Sequence, residues 1–393
     1  MKIVADENIP LLAHLFGALG DVVALPGSDI RPGALAGAHA LIVRSVTRVD
    51  RSLLNGSSVR FVGTATAGTD HIDETYLASA NIEFAYAPGS NADSVVDYVI
   101  AALYALAAEC DCDLEDRRLG VVGVGAVGSR LVRRARGLGL QVLCSDPPRV
   151  EASQTDDEST KRSDFVDLHE LLEHADIVSL HVPLTSAGAH PTYRLISGDE
   201  LARLDPSAWF VNTSRGAVVD GRALLAALAQ QPDLRSVLDV WEKEPTPDID
   251  LMRRVRFGTP HIAGYAYDAK VAGAYAIARA LCAHVGADPP SLADALPRER
   301  LVYSGSADAP GRNAVKALVD QMYDFAADVE AFAAVREARD EERAEVFRSL
   351  RRHYPKRRAF SAWDVAIPPL SSADFRRTLE RGLCVTVLAD QGS

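Results

Sequence analysis

Cysteine is scarce and poorly placed for cross-linking. The 393-residue chain has five: Cys110, Cys112, Cys144, Cys282 and Cys384. The number is odd, and only Cys110 and Cys112 lie close together, in a C-x-C too tight for the usual zinc spacing. No disulfide framework and no metal site are expected, and a reduced, cytoplasmic protein is. The start, MKIVADENIP, lacks the basic-then-apolar pattern of a signal peptide. No apolar run approaches the roughly 18 residues that suggest a membrane span. An excess of positive charge is missing too: the formal net charge is −12, which argues against nucleic acid or an anionic membrane as a partner. It does not argue against a small anion, because a few cations gathered locally can hold one. Repeats at solenoid spacing and low-complexity tracts are also lacking.

What is present is ordinary globular composition, 48% apolar and 24% charged, in a chain long enough for two or three domains. Short apolar runs alternate with helix-like stretches. Lys2 to Ala5, Ala40 to Val43, Arg60 to Thr64 and Ile82 to Ala85 read as strands, with helices at Leu11 to Leu19 and Ile72 to Ser79. A long helix is expected over Asp93 to Ala108. A second strand series follows at Leu119 to Gly123, Gln141 to Ser145, Ile177 to His181, Trp209 to Asn212 and Ser236 to Val240. Helical patterns separate its members, and Ser153 to Asp164 reads as a polar loop. Such alternation argues for βα units and parallel sheets. An alanine-rich helix is expected from Asp268 to Val285. Beyond about residue 290 come two charged helical stretches, Arg312 to Arg336 and Glu337 to Arg352, then RRHYPKRR and an apolar strand at Leu383 to Leu388. These imply a further α/β region.

The strand RLGVVGVG runs into GVGAVG, Gly123 to Gly128, and on into a helix. In such a turn the first glycine permits the tight bend and Gly125 lets a pyrophosphate approach the backbone. Gly128 allows the helix to pack on the strand, while the helix N-terminus favours an anion. Asp146 ends the next strand 18 positions beyond Gly128, where a carboxylate can accept from an adenosine ribose and repel a 2′-phosphate. The expected cofactor is therefore NAD. Arg149, three residues on, is the one feature that would suit NADP, and a simple strand-end cap is the bland alternative for Asp146.

Three further segments follow strands of the same series: NTSRG (Asn212 to Gly216), DVWEKEP (Asp239 to Pro245) and TPHIAG (Thr259 to Gly264). Removing hydride from a carbinol leaves a proton for a base, and histidine can take it near neutral pH. A carboxylate on the other ring nitrogen holds the tautomer. An arginine offers a planar fork for a substrate carboxylate. Singly, Glu242 and Glu244 read as surface acids, His261 as a loop histidine and Arg215 as an ion-pair partner. Their joint occurrence after strands of one dinucleotide-binding series points to catalysis.

Together, GVGAVG, Asp146, HVPLT (His181 to Thr185), NTSRGAVVD, DVWEKEP and TPHIAG resemble the D-isomer-specific 2-hydroxyacid dehydrogenase family over about residues 1 to 290. The resemblance implies Arg215 as substrate anchor, His261 as acid/base and Glu244 as the acid that raises its pKa, with Glu242 non-catalytic. It implies an NAD site of Gly123, Gly125, Ala126, Val127, Gly128, Asp146, Val182, Thr213, Ser214, Asp239 and Gly264. It also implies a Rossmann-type doubly wound parallel sheet domain (94–263) inserted in a flavodoxin-like substrate domain (1–93 and 264–288). A C-terminal α/β domain (289–393) would serve dimerisation. Within the family, VRSVT and GTATAGTDHID resemble the substrate loops of members acting on a phosphorylated four-carbon hydroxy acid, with Ser45, Thr66 and Tyr265 as contacts. A three-carbon phosphorylated acid is the nearest alternative, and an NAD-sensing protein without turnover a distant one. The basic run Arg351 to Arg358 has no assigned role.

Overall fold

The computed structural model describes residues 1–152, 160–292, 296–303, 312–368 and 371–389. The chain divides into two compact units, Met1–Ala92 with Tyr265–Pro297, and Asp93–Gly264 with Arg298–Ser393. Among the described residues no helix is long and apolar enough to cross a membrane.

The first unit is built on five parallel strands: β1 (Lys2–Asp6), β2 (Asp21–Leu25), β3 (Ala40–Val43), β4 (Phe61–Thr64) and β5 (Glu83–Tyr86). Their spatial order, β2-β1-β3-β4-β5, is the flavodoxin order. Because side chains alternate across a strand, Ile3, Ala5, Ala40, Ile42 and Phe61 face one layer, which includes Ala274, Ile277, Ala278 and Leu281 of the helix Tyr267–Val285. Val4, Leu41, Val43 and Val62 pack with the other layer, around Leu35, Leu53 and Leu77. A Cβ on Gly63 would lie 2.3 Å from Ile277, so glycine lets that helix settle onto β4. The helix stops at Gly286, whose φ of +69° suits glycine. Strand β2, DVVAL, was not anticipated. It sits at the sheet edge and is only half-buried, so its apolar signal is short.

The second unit opens with the helix Ala92–Cys110 and carries a six-stranded sheet: β6 (Arg118–Val122), β7 (Gln141–Ser145), β8 (Ile177–Leu180), β9 (Trp209–Asn212), β10 (Arg235–Leu238) and β11 (Phe257–Gly258). The order is β11-β10-β9-β8-β6-β7, all parallel. The direction of winding reverses between β6 and β8, the position at which such sheets bind ligands. Residues 153–159 of the expected polar loop lie outside the described residues; its end, Arg162–Asp164, is a short 3-10 helix.

Residues after Arg298 contribute a three-stranded parallel sheet, β12 (Glu299–Val302), β13 (Trp363–Ile367) and β14 (Thr386–Ala389), in the order β12-β13-β14. The single helix expected over Arg312 to Arg336 is two, Arg312–Met322 and Phe325–Glu337. Asp324 starts the second by accepting from the Ala327 N–H. The second of these, with the helix Asp340–Arg352, shares the unit's core. Phe332, Val335 and Phe347 pack with Trp241, Leu251 and Met252, and Phe332 stacks on Trp241 with ring centroids 5.2 Å apart. The first residue of the expected final strand, Leu383, belongs instead to a π-helical turn (Thr378–Leu383), whose Gly382 carbonyl accepts from buried Arg134 at 2.8 Å.

Candidate active site

All six strands of the second unit's sheet end in one row. Ser145, Val122, Leu180, Asn212, Leu238 and Gly258 are register partners in turn, and each is the last residue of its strand. Parallel strands in that register deliver the next residues to one edge: Asp146, Gly123, His181, Thr213, Asp239 and Thr259. The motif segments far apart in sequence therefore leave the sheet side by side.

At the β6 end Gly123 has φ +87°, and a Cβ there would lie 2.7 Å from Val182 and 2.9 Å from the His181 backbone. A Cβ on Gly128 would sit 2.0 Å from the Gly123 carbonyl oxygen. The first and third glycines are thus demanded by the fold itself. Gly125 differs: a Cβ there would meet no atom within 4 Å. Its missing side chain leaves room in a cavity of about 480 Å³ that Gly123, Asp146, Val182 and Pro183 also line. Asp146 accepts from the Val124 N–H at 2.8 Å and the Arg149 N–H at 3.0 Å, one bond on each oxygen. A carboxylate has about four acceptor sites, so two bonds leave capacity for a ribose. The Arg149 guanidinium donates to the Val124 carbonyl at 2.6 Å, across the same glycine turn. An open glycine cradle at a helix N-terminus, an apolar cavity and an acid at the neighbouring strand end fit NAD.

His181 lines the same cavity. Burial pushes its imidazole down to about 3, so the ring is neutral at physiological pH. Its nitrogens lie 2.8 Å from Ser179 Oγ and 3.4 Å from Thr213 Oγ1.

The other expected cofactor residues have different surroundings. Ala126 lines a shallower depression beside the cavity, with Asp146 and Arg149. Val127 is in the first turn of the helix Ala126–Gly137. Ser214 donates its hydroxyl and N–H to Asn212 Oδ1, at 2.8 and 3.0 Å. Asp239, almost fully buried, accepts from the Thr259 hydroxyl (2.7 Å), the Ile262 N–H (2.7 Å) and the Ala263 N–H (2.9 Å). Ser214 and Asp239 thus brace the loops carrying Arg215 and His261. Gly264, three residues after His261, is the last residue of the Asp93–Gly264 stretch of this unit.

Asn212 extends that bracing, its amide donating to the Arg215 carbonyl at 3.0 Å. The Arg215 guanidinium donates to the Ser214 carbonyl at 2.8 Å. A Cβ on Gly216 would lie 2.0 Å from the Trp241 carbonyl carbon and 2.4 Å from the Glu242 nitrogen, so NTSRG and DVWEKEP run backbone against backbone. Neither Asn212 nor Gly216 was singled out from sequence. The glycine directly after Arg215 was the available signal.

Glu244 and His261 meet. His261 Nδ1 is 2.8 Å from Glu244 Oε2, and Glu244 Oε1 accepts from the Trp241 N–H at 2.9 Å. The Trp241 indole donates to the Thr259 carbonyl, tying the two loops together. Burial tends to raise the Glu244 carboxyl. The facing His261, the bonds from His261 and Trp241, and the Arg351 charge outweigh it and hold the group below the usual carboxylate range. Glu242 points elsewhere: it accepts from the Gly221 N–H at 3.2 Å and pairs with Arg194 at 3.7 Å. His261 itself adopts φ +60°, an uncommon conformation for a residue with a side chain.

The expected substrate residues Ser45, Thr66 and Tyr265 belong to the first unit. Ser45 is exposed after β3, next to Arg44, which pairs with buried Asp6 at 3.2 Å. Thr66 follows β4 and donates to the Gly68 carbonyl at 2.9 Å. Thr64 Oγ1 lies 2.8 Å from Thr66 Oγ1 and 2.9 Å from His71 Nε2. With the Thr66 proton already spent, Thr64 donates to Thr66 and accepts from a protonated His71 Nε2. Burial, opposed by Asp70, lowers the His71 pKa. Tyr265 carries the Lys270 ammonium 4.9 Å from its ring centroid.

Residues 104–263 match the family described as "D-isomer specific 2-hydroxyacid dehydrogenase, NAD binding domain". The chain is 48% identical over 362 residues to an erythronate-4-phosphate dehydrogenase of Azotobacter vinelandii, covering 91% of this chain and 93% of the relative. It is 45% identical over 370 residues to one of Salinibacter ruber, covering 91% and 92%. Among solved structures, the TT0316 protein of Thermus thermophilus superimposes with a TM-score of 0.61 at 26% identity, over 74% of this chain and 99% of that one. A D-lactate dehydrogenase of Aquifex aeolicus, complexed with NAD and lactic acid, gives 0.59 at 21% identity, over 73% and 96%. At that identity the second likeness speaks for the fold.

Proposed function

The chain belongs to the D-isomer-specific 2-hydroxyacid dehydrogenase family, and we propose that it oxidises 4-phospho-D-erythronate to (R)-3-hydroxy-2-oxo-4-phosphobutanoate with NAD. The observation that carries the reaction is the His261–Glu244 bond at the edge of the sheet that also bears the glycine turn. The identity of the substrate is supported by the likeness to the Azotobacter vinelandii and Salinibacter ruber relatives, which extends over nine-tenths of both chains.

Glu244, ionised at neutral pH, keeps the His261 proton on Nδ1, so Nε2 offers a lone pair to the substrate C2 hydroxyl. As the proton moves to Nε2, the imidazolium formed is stabilised by the same carboxylate. NAD, when bound in the Gly123–Gly128 turn with Asp146 at its ribose, supplies the acceptor for the hydride that leaves C2. Arg215 grips the substrate carboxylate and polarises the forming carbonyl. Ser45 and Tyr265 contribute hydroxyls, as donors to the phosphate or carboxylate. Thr66, with its own proton spent on Gly68, suits a substrate hydroxyl as an acceptor. The reaction belongs to de novo pyridoxal phosphate biosynthesis, performed by a cytoplasmic homodimer associating through residues 289–393.

The test is NADH formation with 4-phospho-D-erythronate beside 3-phospho-D-glycerate, with a 2-oxo acid present in parallel as an alternative electron acceptor. A preference of at least about a hundredfold in kcat/KM for the erythronate ester is expected, as for a site built around a particular substrate hydroxyl. Preference for the glycerate ester would keep the triad and overturn the substrate. No turnover with either would overturn the reaction.

A further inference from the structure

The basic run after the helix Asp340–Arg352 contains a cation that none of the roles above uses. Arg357 is 6% exposed. Its Nη2 donates to the Ala263 carbonyl at 2.6 Å and to Ser94 Oγ at 2.7 Å, and lies 3.5 Å from the Ile262 carbonyl. Ser94 in turn donates to the Ala263 carbonyl at 2.8 Å. The guanidinium carbon is 4.2 Å from the Tyr323 ring centroid and 5.7 Å from that of Tyr354. Tyr323 and Tyr354 both donate to Asp328 Oδ2.

Two facts make this more than core filling. Among the described residues, Nε and Nη1 of Arg357 have no hydrogen-bond partner. Burying a cation with part of its donor capacity unmet is costly, and an apolar side chain would fill the space without that cost. Of the three bonds it does make, one goes to Ser94 and two fall on the residues directly after His261. Asp239 binds the N–H groups of Ile262 and Ala263, and Arg357 takes their carbonyl groups. A buried anion and a buried cation therefore hold the same dipeptide by its opposite backbone dipoles. The residue before it is the one held at φ +60°.

We propose that Arg357 is a positioning residue for the reaction: its clamp on the Ile262 and Ala263 carbonyls holds His261 in the left-handed conformation that aligns Nδ1 with Glu244. The proposal rests on the reading of His261 as acid/base, and it makes the C-terminal segment part of the catalytic apparatus.

The experiment compares the full-length protein with Arg357→Lys, which keeps the charge and loses the fork, and Ser94→Ala, which removes one hydroxyl. Two readouts are taken: kcat and KM, and the downfield proton resonance of His261 Nδ1–H without substrate. In Arg357→Lys we expect kcat to fall about tenfold or more with both KM values within about twofold, as for a displaced catalytic group. The Nδ1–H resonance should broaden into solvent exchange. In Ser94→Ala a loss of about threefold is expected, with partial broadening. Unaltered kcat and an unaltered resonance in Arg357→Lys would overturn the proposal. Should that variant fail to fold by circular dichroism, unaltered values in Ser94→Ala would overturn it instead. If the parent protein has no turnover, the resonance decides alone. Its loss in Arg357→Lys supports the clamp while the catalytic reading fails, and its persistence refutes the clamp.

Discussion

Replacing Glu244 with glutamine tests the catalytic geometry more sharply than removing His261, because it exchanges one oxygen for an NH₂ group and changes almost no volume. The carboxylate has one oxygen on the Trp241 N–H and the other on His261 Nδ1, at 2.9 and 2.8 Å. A glutamine can keep only one of these roles with an oxygen. The Trp241 N–H is fixed backbone, so the amide oxygen goes there and the NH₂ group faces His261. Nδ1 must then accept, which puts the ring proton on Nε2 and removes the lone pair the reaction needs. The charge is lost as well. At about 4 Å and an effective dielectric constant of about 20, carboxylate and imidazolium attract by about 4 kcal/mol. The two side chains are 21% and 32% exposed, so screening leaves about half, ~2 kcal/mol, or about thirtyfold in rate. Adding the tautomer change, kcat should fall by about 10² to 10³. KM for the acid and the affinity for NAD should change little, since neither role involves Glu244. Steady-state NADH formation across the neutral pH range, with NAD titrated by fluorescence, reads both. A variant retaining kcat within about twofold would refute the assigned proton path.

Three other perturbations follow from the geometry. His181 is neutral when folded, with its pKa near 3, whereas the unfolded chain takes up a proton around 6.5. Its contribution to stability therefore declines as pH falls from about 6.5 towards about 3. His181→Asn should flatten the acid side of a urea-derived stability profile by at most about 1.4 kcal/mol per pH unit, and an unchanged slope would contradict the burial of that ring. Gly216→Ala forces a methyl group onto the Trp241 backbone, so it should cost about 2–3 kcal/mol in chemical denaturation and lower kcat together. Full stability in that variant would mean the two loops are not in contact. Asp146→Ser keeps a helix cap but removes the charge, and the ratio of kcat/KM for NADP to that for NAD should rise by about tenfold or more. A constant ratio would take Asp146 out of cofactor selection.

Much of the fold was legible because its signals are local. The β3, β7 and β9 runs are short and largely apolar, and their limits coincide with the expected ones. Strands β11, β12 and β13 escaped notice: β11 has two residues and shows no periodicity, β12 lies among charged residues, and β13 is a five-residue run interrupted by Asp364. The break between Met322 and Phe325 contains neither glycine nor proline, only the capping Asp324.

The site divides in the same way. Residue type and motif order in the sequence determined the glycine turn, the acid at the next strand end, and the arginine, glutamate and histidine, because each needs a particular chemistry within a few neighbours. Which neighbours those groups acquire was decided only by tertiary structure. From side-chain chemistry alone Glu242 and Glu244 were equivalent; the turn after β10 sends one to Arg194 and the Gly221 N–H, the other to His261. Asp239 matches a cofactor-site position, yet the register of β10 with β11 spends its carboxylate on the histidine loop. Arg357, 96 residues beyond His261 in sequence, holds the carbonyls that follow it. A sequence specifies which groups are available for bonding, but a hydrogen bond depends on distances of a few ångströms, and those are fixed by how strands align and helices pack.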